Sequence, residues 1–498
     1  MSRYLIGIDV GTSAIKVSIV DASTGQTVSS AHSPAEEMTV SATQPGWAEQ
    51  HPDMWWEHTI KSIKSALLNT TINLTEVASI GISYQMHGLV MVDKDHKPLR
   101  PSIIWCDSRA VELGNKAFTE LGNHYCLQHL LNSPGNFTAS KLKWVKDNEP
   151  SIYERIYKVM LPGDYIALKL TGDITTTETG LSEGIFWDYQ DKAISKKLLD
   201  YYGIDKSLIA TVVPVFAQQG MLREQAAMEL GLKPGIKISY RAGDQPNNAF
   251  SLNVLNSGET AATAGTSGVI YSVTDKNVCD PRSRVNAFVH VNNNNNTIRN
   301  GVLLCVNGTG ILNSWLKKNI KSGGAAYDYE QINAIAAEAP IGADGLIVLP
   351  FGNGAERILE NKGVKSSFQG LNFSRHNQSH LFRAAQEGIV FALKYGFDIL
   401  QEMGLKTEVI RAGNTNMFLS PIFREAFVNT IGARLELYDT DGAKGAALGA
   451  GIGAGIFTTF PEAFRGLKMI RYEEPDINKS QQYTSTYHNW KIQLNKLL

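Results

Sequence analysis

Several things are scarce in this 498-residue chain, and each scarcity excludes a class of protein. It has four cysteines, at 106, 126, 279 and 305, with no close pairing of the kind zinc sites or disulfide frameworks use. Buried free thiols are the expectation. Neither sign of charge is in excess: the net charge is −1, which argues against nucleic acid or an anionic membrane as main partner. Any anion site must therefore be local. No Gly-Lys dipeptide occurs, so there is no P-loop, and no protein-kinase signature set is present. The glycines at 449, 451, 453 and 455 lack the spacing of a dinucleotide fingerprint and suit close helix packing instead. The first apolar segment, Tyr4-Leu5-Ile6-Gly7-Ile8, meets Asp9 too soon for a signal-peptide core or a membrane span. A cytoplasmic location is the expectation.

What remains is an ordinary globular composition, 43% hydrophobic and 19% charged, on a chain too long for one core. The pattern is α/β. Strands are expected over Tyr4–Val10, Ala14–Asp21 and Val77–Tyr84, the last interrupted by Gln85-Met86-His87-Gly88 and resuming at Leu89–Val92. A buried strand is expected over Gly345–Pro350. Apolar residues at helical spacing predict helices over Pro52–Leu68 and from about Ser379 to Gly404, and Ser420-Pro421 opens another. The opening logic recurs after Ala242-Gly243-Asp244, which places a domain boundary near Arg241: residues 1–241 and 242–498.

The tripeptide Gly-Thr-Ser occurs twice, as Gly11-Thr12-Ser13 and Gly265-Thr266-Ser267, each beside a buried strand. A glycine turn of this kind presents amide groups and small hydroxyls, which suits phosphates, although hairpin turns use the same residues. Two carboxylates accompany the turns. Asp9 closes the first strand and could hold Mg²⁺ facing phosphates, or simply cap a hairpin. Asp244 stands at the end of a strand, where α/β proteins place reactive groups, or serves as a helix cap. Together they point to a nucleotide-dependent enzyme. Gln85-Met86-His87-Gly88 breaks an apolar strand with polar groups and is a candidate pocket wall. In Trp105-Cys106-Asp107-Ser108-Arg109, Asp107 could bind a sugar hydroxyl or pair with Arg109. Phe351-Gly352-Asn353-Gly354-Ala355-Glu356-Arg357 has the composition of a solvated turn.

These segments, with Trp47-Ala48-Glu49-Gln50, Trp55-Trp56, Lys141-Leu142-Lys143-Trp144-Val145, Gly370-Leu371, Arg383-Ala384, Glu387-Gly388 and Gly445-Ala446-Ala447-Leu448-Gly449-Ala450, resemble the FGGY carbohydrate kinases in order and spacing along essentially the whole chain. Gln85–Gly88 and the stretch from Leu99-Arg100-Pro101 to Arg109 are most similar to the xylulokinases of that family. The resemblance implies two ribonuclease-H-like domains of the actin and hexokinase type with an active-site cleft between them. It also implies transfer of the γ-phosphoryl group of ATP, with Mg²⁺, to D-xylulose, and a homodimer. By the same resemblance Asp244 is the catalytic base and Met86, His87, Asp107 and Asp244 meet the sugar. Thr12, Ser13, Gly265, Thr266, Ser267, Gly308, Gly413 and Asn414 would serve the nucleotide, and Asp9 the metal. The sequence departs from the xylulokinase pattern at Gln245-Pro246, at Cys106 and across Arg411–Asn416. A kinase for gluconate or ribulose, or a non-catalytic actin-fold protein that binds ATP or sugar, are the alternatives.

Overall fold

The computed structural model describes residues 3–322, 325–354 and 356–498. The chain forms two compact units: residues 1–253, 288–300 and 440–467 make the first, and 254–287, 301–439 and 468–498 the second. The first crossing lies after Asn253 rather than at 241, because the strand through Gly243 and the helix after it belong to the first sheet. Asp244 accordingly sits in the first unit.

The first unit is built on β1 (Tyr4–Val10), β2 (Ile15–Asp21), β3 (Gln26–Ser33), β4 (Val77–Tyr84), β5 (Phe216–Met221) and β6 (Lys237–Gly243), in the order β5-β6-β4-β1-β2-β3. β1 to β3 form an antiparallel meander, and β4 runs parallel to β1 and to β6. In β1 the side chains alternate between faces. Ile6, Ile8 and Val10 enter a core with Trp55, Trp56 and Ile63 of the helix Pro52–Leu68. On the opposite face, Gly7 leaves room for the helix Gly442–Gly453: a Cβ on Gly7 would stand 1.8 Å from the carbonyl oxygen of Ala443. A Cβ on Gly81 of β4 would stand 2.0 Å from that of Ala446. The small residues of this helix therefore serve close packing, as their composition suggests. Residues Val90–Val92 do not resume β4; they pair with Lys158–Met160 after the turn at His87.

The second unit repeats the plan with β7 (Thr260–Ala264), β8 (Gly268–Thr274), β9 (Asn300–Val306), β10 (Val409–Gly413), β11 (Arg434–Tyr438) and β12 (Met469–Glu473), ordered β9-β8-β7-β10-β11-β12. β7 and β8 are an antiparallel hairpin, and β10 runs parallel to β7 and to β11. The helices Gln378–Glu402 and Pro421–Ile431 pack together, and Trp490 of the last helix donates to the carbonyl of Val348, 2.8 Å away. The predicted strand near Gly345–Pro350 spans Ile347–Leu349. Among the described residues, no helix is long and apolar enough to cross a membrane. The four thiols are free; Cys126 is buried, but Cys106 is exposed.

Candidate active site

Two carboxylates come to the same end of the first sheet because of its parallel strands. Asp9 of β1 and Ala242 of β6 both stand in register with Ser83 of β4, which lies between them. Asp244 follows two residues later as the first residue of the helix Asp244–Ser251. Both carboxyls are half-buried. Burial pushes Asp9 above the ordinary carboxylate range, opposed by the Lys16 cation across the hairpin. Asp244 is raised from 3.8 to about 7, by burial first and by the negative charge of Asp9 second. Two carboxyls whose surroundings push them toward neutrality mark this end of the sheet as the candidate site.

The space in front of Asp9 is kept by a glycine. A Cβ on Gly442, at the start of the helix Gly442–Gly453, would stand 2.8 Å from Asp9 Oδ2 and 3.2 Å from Asn248 Oδ1. Asn247 Nδ2 donates to the carbonyl of Gly442 at 2.8 Å, which holds the two helices together. Among the described residues no group of three or more His, Cys, Asp or Glu side chains is placed to hold a metal. A cation at Asp9 would thus have at most two such side chains as ligands and would depend on water and a ligand's phosphates for the rest, which is how Mg²⁺ is commonly held.

Beyond Tyr84 the chain turns sharply. His87 has a φ of 62°, the left-handed region that most side chains avoid. It is held there from two sides. The Lys141 ammonium donates to the carbonyl of His87 (3.0 Å) and to that of Ile104 (2.9 Å), tying the Gln85–Gly88 turn to the Trp105–Arg109 segment. His87 Nδ1 donates to the carbonyl of Glu183 at 2.9 Å. The imidazole lies edge-on to Phe137, with centroids 4.8 Å apart. Met86 is buried against Gly243: its Cγ lies 2.7 Å from where a Cβ on that glycine would be.

The first Gly-Thr-Ser turn is wired to this wall. Thr12 Oγ1 donates to Gln85 Oε1 (3.1 Å) and accepts from Trp105 Nε1 (2.9 Å). Gln85 Nε2 donates to Gln50 Oε1, and Gln50 Nε2 donates to the carbonyl of Thr12. The Thr12 hydroxyl is thus spent on positioning, while Ser13 is exposed at the tip. Asp107 departs from its expected role. It is fully buried, its Oδ2 accepts from the amide of Ala48 (2.6 Å), and both oxygens pair with Arg109. Arg109 also reaches Glu49 at 2.7 Å and lies over the Trp47 ring at 3.7 Å from its centroid. Its oxygens being engaged, Asp107 fixes the segment rather than offering an acceptor to a sugar hydroxyl.

The second unit gathers its own set. The second Gly-Thr-Ser turn joins β7 to β8 and rests on the helix Gly310–Asn319. The amides of Gly310 and Ile311 donate to the carbonyls of Gly265 and Thr266, at 2.9 and 3.2 Å. The helix N-terminus therefore anchors the turn, leaving the exposed Thr266 and half-buried Ser267 at its tip. Gly308 packs directly on the carbonyl of Pro350, where a Cβ would stand 1.7 Å from the oxygen. Gly413 ends β10, and the amide of Asn414 donates to the carbonyl of Tyr438. Asn416 Nδ2 comes within 3.6 Å of the Cβ position of Gly265, so this loop borders the turn. Arg411 faces Glu259 and Glu436.

The family models match along both halves: "FGGY family of carbohydrate kinases, N-terminal domain" over residues 4–251 and its C-terminal counterpart over 260–456. The chain belongs to the FGGY family of carbohydrate kinases. It is 31% identical over 464 residues to a xylulose kinase of Staphylococcus xylosus, with 92% of each chain covered. Among solved structures it resembles a "xyloylose kinase" from Brucella ovis (TM-score 0.86, 25% identity, 99% of each chain). It also resembles a gluconate kinase from Lactobacillus acidophilus, with a TM-score of 0.88 over 100% of this chain and 98% of that one, at 23% identity, a likeness of fold. The chain is a sugar kinase of the FGGY fold.

Sequence reasoning about this kinase passed over two acids. Glu356, in the stretch expected to be a solvated turn, is fully buried and accepts from the amide of Asn307 at 3.0 Å; burial raises it to about 8. Gly352–Gly354 are exposed as expected, and Ala355 lies outside the described residues. Glu183, at the end of the helix Glu178–Glu183, is likewise buried beneath Gly243. An acid in a polar stretch gives no sequence signal of burial; only the fold delivers it.

Proposed function

We propose that this kinase transfers the γ-phosphoryl group of Mg²⁺-ATP to a hydroxyl of a pentulose, D-xylulose giving D-xylulose 5-phosphate, with Asp244 as general base. The observation that carries this reading is Asp244 itself: a carboxyl at the strand end, raised to about 7 and next to Asp9, yet clear of any ion pair among the described residues. Phosphoryl transfer asks mainly for in-line geometry and charge neutralisation. A base titrating near the working pH can orient the attacking hydroxyl and take its proton as the bond to phosphorus forms. Met86 and His87 would line the acceptor site, the one with an apolar surface and the other with an imidazole for the polyol. Asp9, with the room kept by Gly442, fits a Mg²⁺ whose remaining ligands are phosphate oxygens and water. The bound metal would neutralise charge on the phosphates. Ser13, Thr266 and Ser267, at the tips of their turns, would donate to phosphate oxygens, and Gly308, Gly413 and Asn414 would border the nucleotide.

The choice of D-xylulose is supported by the xylulose kinase relatives and by the Gln85–Gly88 segment. A coupled assay of ADP release over D-xylulose, D- and L-ribulose, gluconate and glycerol tests it. D-xylulose should give the highest kcat/KM. A higher value with another acceptor would overturn the substrate and keep the chemistry.

A further inference from the structure

One buried acid touches both parts of the acceptor wall and has no task in the mechanism above. Glu183 is 1% exposed, and its carboxyl lies beneath the residue before the base: a Cβ on Gly243 would stand 2.3 Å from Glu183 Oε2. Its own backbone carbonyl accepts a hydrogen bond from His87 Nδ1. Met86 packs on the same point of Gly243. Glu183 Oε1 has no hydrogen-bond partner among the described residues. Arg241 is paired with Asp164 at 3.0 Å.

We propose that Glu183 is a positioning residue of this kinase, its side chain and backbone fixing the base Asp244 and the residue His87 relative to each other. The inference rests on the kinase reading above. Glycine at 243 leaves a gap below the strand end, and the Glu183 carboxyl fills it, so the direction in which Asp244 leaves β6 depends on that contact. The groups that face it decide its protonation. Asp244, and Asp164 from the helix Pro162–Thr171, disfavour its charge, while the Tyr84 hydroxyl from β4 and the His87 backbone amide favour it, and Arg241 is paired with Asp164. Burial first, then the two acids, push the Glu183 carboxyl well above the ordinary range. An ionised Glu183 would set a second negative charge behind Asp244 and push the base further from its working pH. It would also be repelled from the strand end it supports.

The test uses the full chain with D-xylulose, or whichever acceptor the wild type turns over best, and compares wild type, Glu183→Ala and Glu183→Gln between pH 6.5 and 9.5. Thermal unfolding checks that each variant is folded. Glu183→Ala should lower kcat/KM by at least tenfold at pH 7, and Glu183→Gln, which keeps the shape without the ionisable proton, should recover it to within about threefold of wild type. Toward pH 9.5 wild type should lose more of its kcat/KM than Glu183→Gln does. A folded Glu183→Ala with wild-type kcat/KM would overturn the proposal. So would a Glu183→Gln profile with the wild-type alkaline fall, and that criterion stands even if the alanine variant does not fold. A wild-type protein that turns over no acceptor would instead overturn the kinase reading, and this inference with it.

Discussion

Replacing Asp244 with asparagine should make the protein more stable and nearly inactive at the same time. The carboxyl titrates at about 7 in the fold against 3.8 for the free side chain, because burial and Asp9 both oppose its charge. A shift of that size corresponds to about 4 kcal/mol between the two protonation states. Solvent reaches the half-buried group, so roughly 1–2 kcal/mol is the expected cost of holding it ionised. The sign follows from proton counting. Between 3.8 and about 7 the folded state binds more protons than the unfolded one, so this residue's contribution to stability is full below 3.8 and falls as pH rises through 7. Asp244→Asn removes the falling term. In metal-free buffer at pH 8 its Tm should exceed that of wild type by a few degrees, and the gap should narrow as pH falls below 7 and close only near pH 3.8. The assay is thermal unfolding of both proteins across that range, beside ADP release, which should fall roughly 10²–10⁴-fold. An asparagine variant less stable than wild type at pH 8, or a gap that grows on acidification, would refute the placement of Asp244 as a charge held against its surroundings.

Other perturbations separate the parts of the site. Lys141→Met leaves the carbonyls of His87 and Ile104 without their donor; it should cost about 2 kcal/mol in unfolding and raise KM for the sugar more than KM for ATP. Gly310→Ala drives a Cβ to within 2.3 Å of the Gly265 carbonyl and should raise KM for ATP about tenfold with little change for sugar, as steady-state kinetics would reveal. Gly81→Ala meets backbone at 2.0 Å and should destabilise the first unit by about 3 kcal/mol, read as a lower denaturant midpoint.

The sequence carried the fold well where one physical signal dominates. The alternation of β1, the helical spacing of Pro52–Leu68 and the Ser420-Pro421 start each correspond to an observed element. The break after Tyr84 was legible as a polar interruption, but not its consequence: the left-handed turn at His87 sends Val90–Val92 to a different partner. Asp9 and Asp244 could be picked out because each stands at the end of an expected strand. Their proximity could not, since it depends on both β1 and β6 standing in register with Ser83. The domain boundary shifted for the same reason: pairing of β6 with β4 keeps Asp244 in the first unit. Asp107 illustrates the limit of local composition. Its neighbour Arg109 hinted at a pair, yet the Ala48 amide and the Trp47 ring that complete the burial come from 60 residues away, roughly, in sequence. Glu183 and Glu356 were invisible because an acid's burial is a property of the whole fold.

The most direct measurement is a coupled ADP-release assay with Mg²⁺-ATP and D-xylulose, run on wild type and on Asp244→Asn that is shown by thermal unfolding to be folded. Saturable, sugar-dependent release from wild type, lost by two orders of magnitude or more in the variant, is the predicted result. Release that persists in the variant, or none from wild type with any sugar, would contradict the assignment of Asp244 as the base of a sugar kinase.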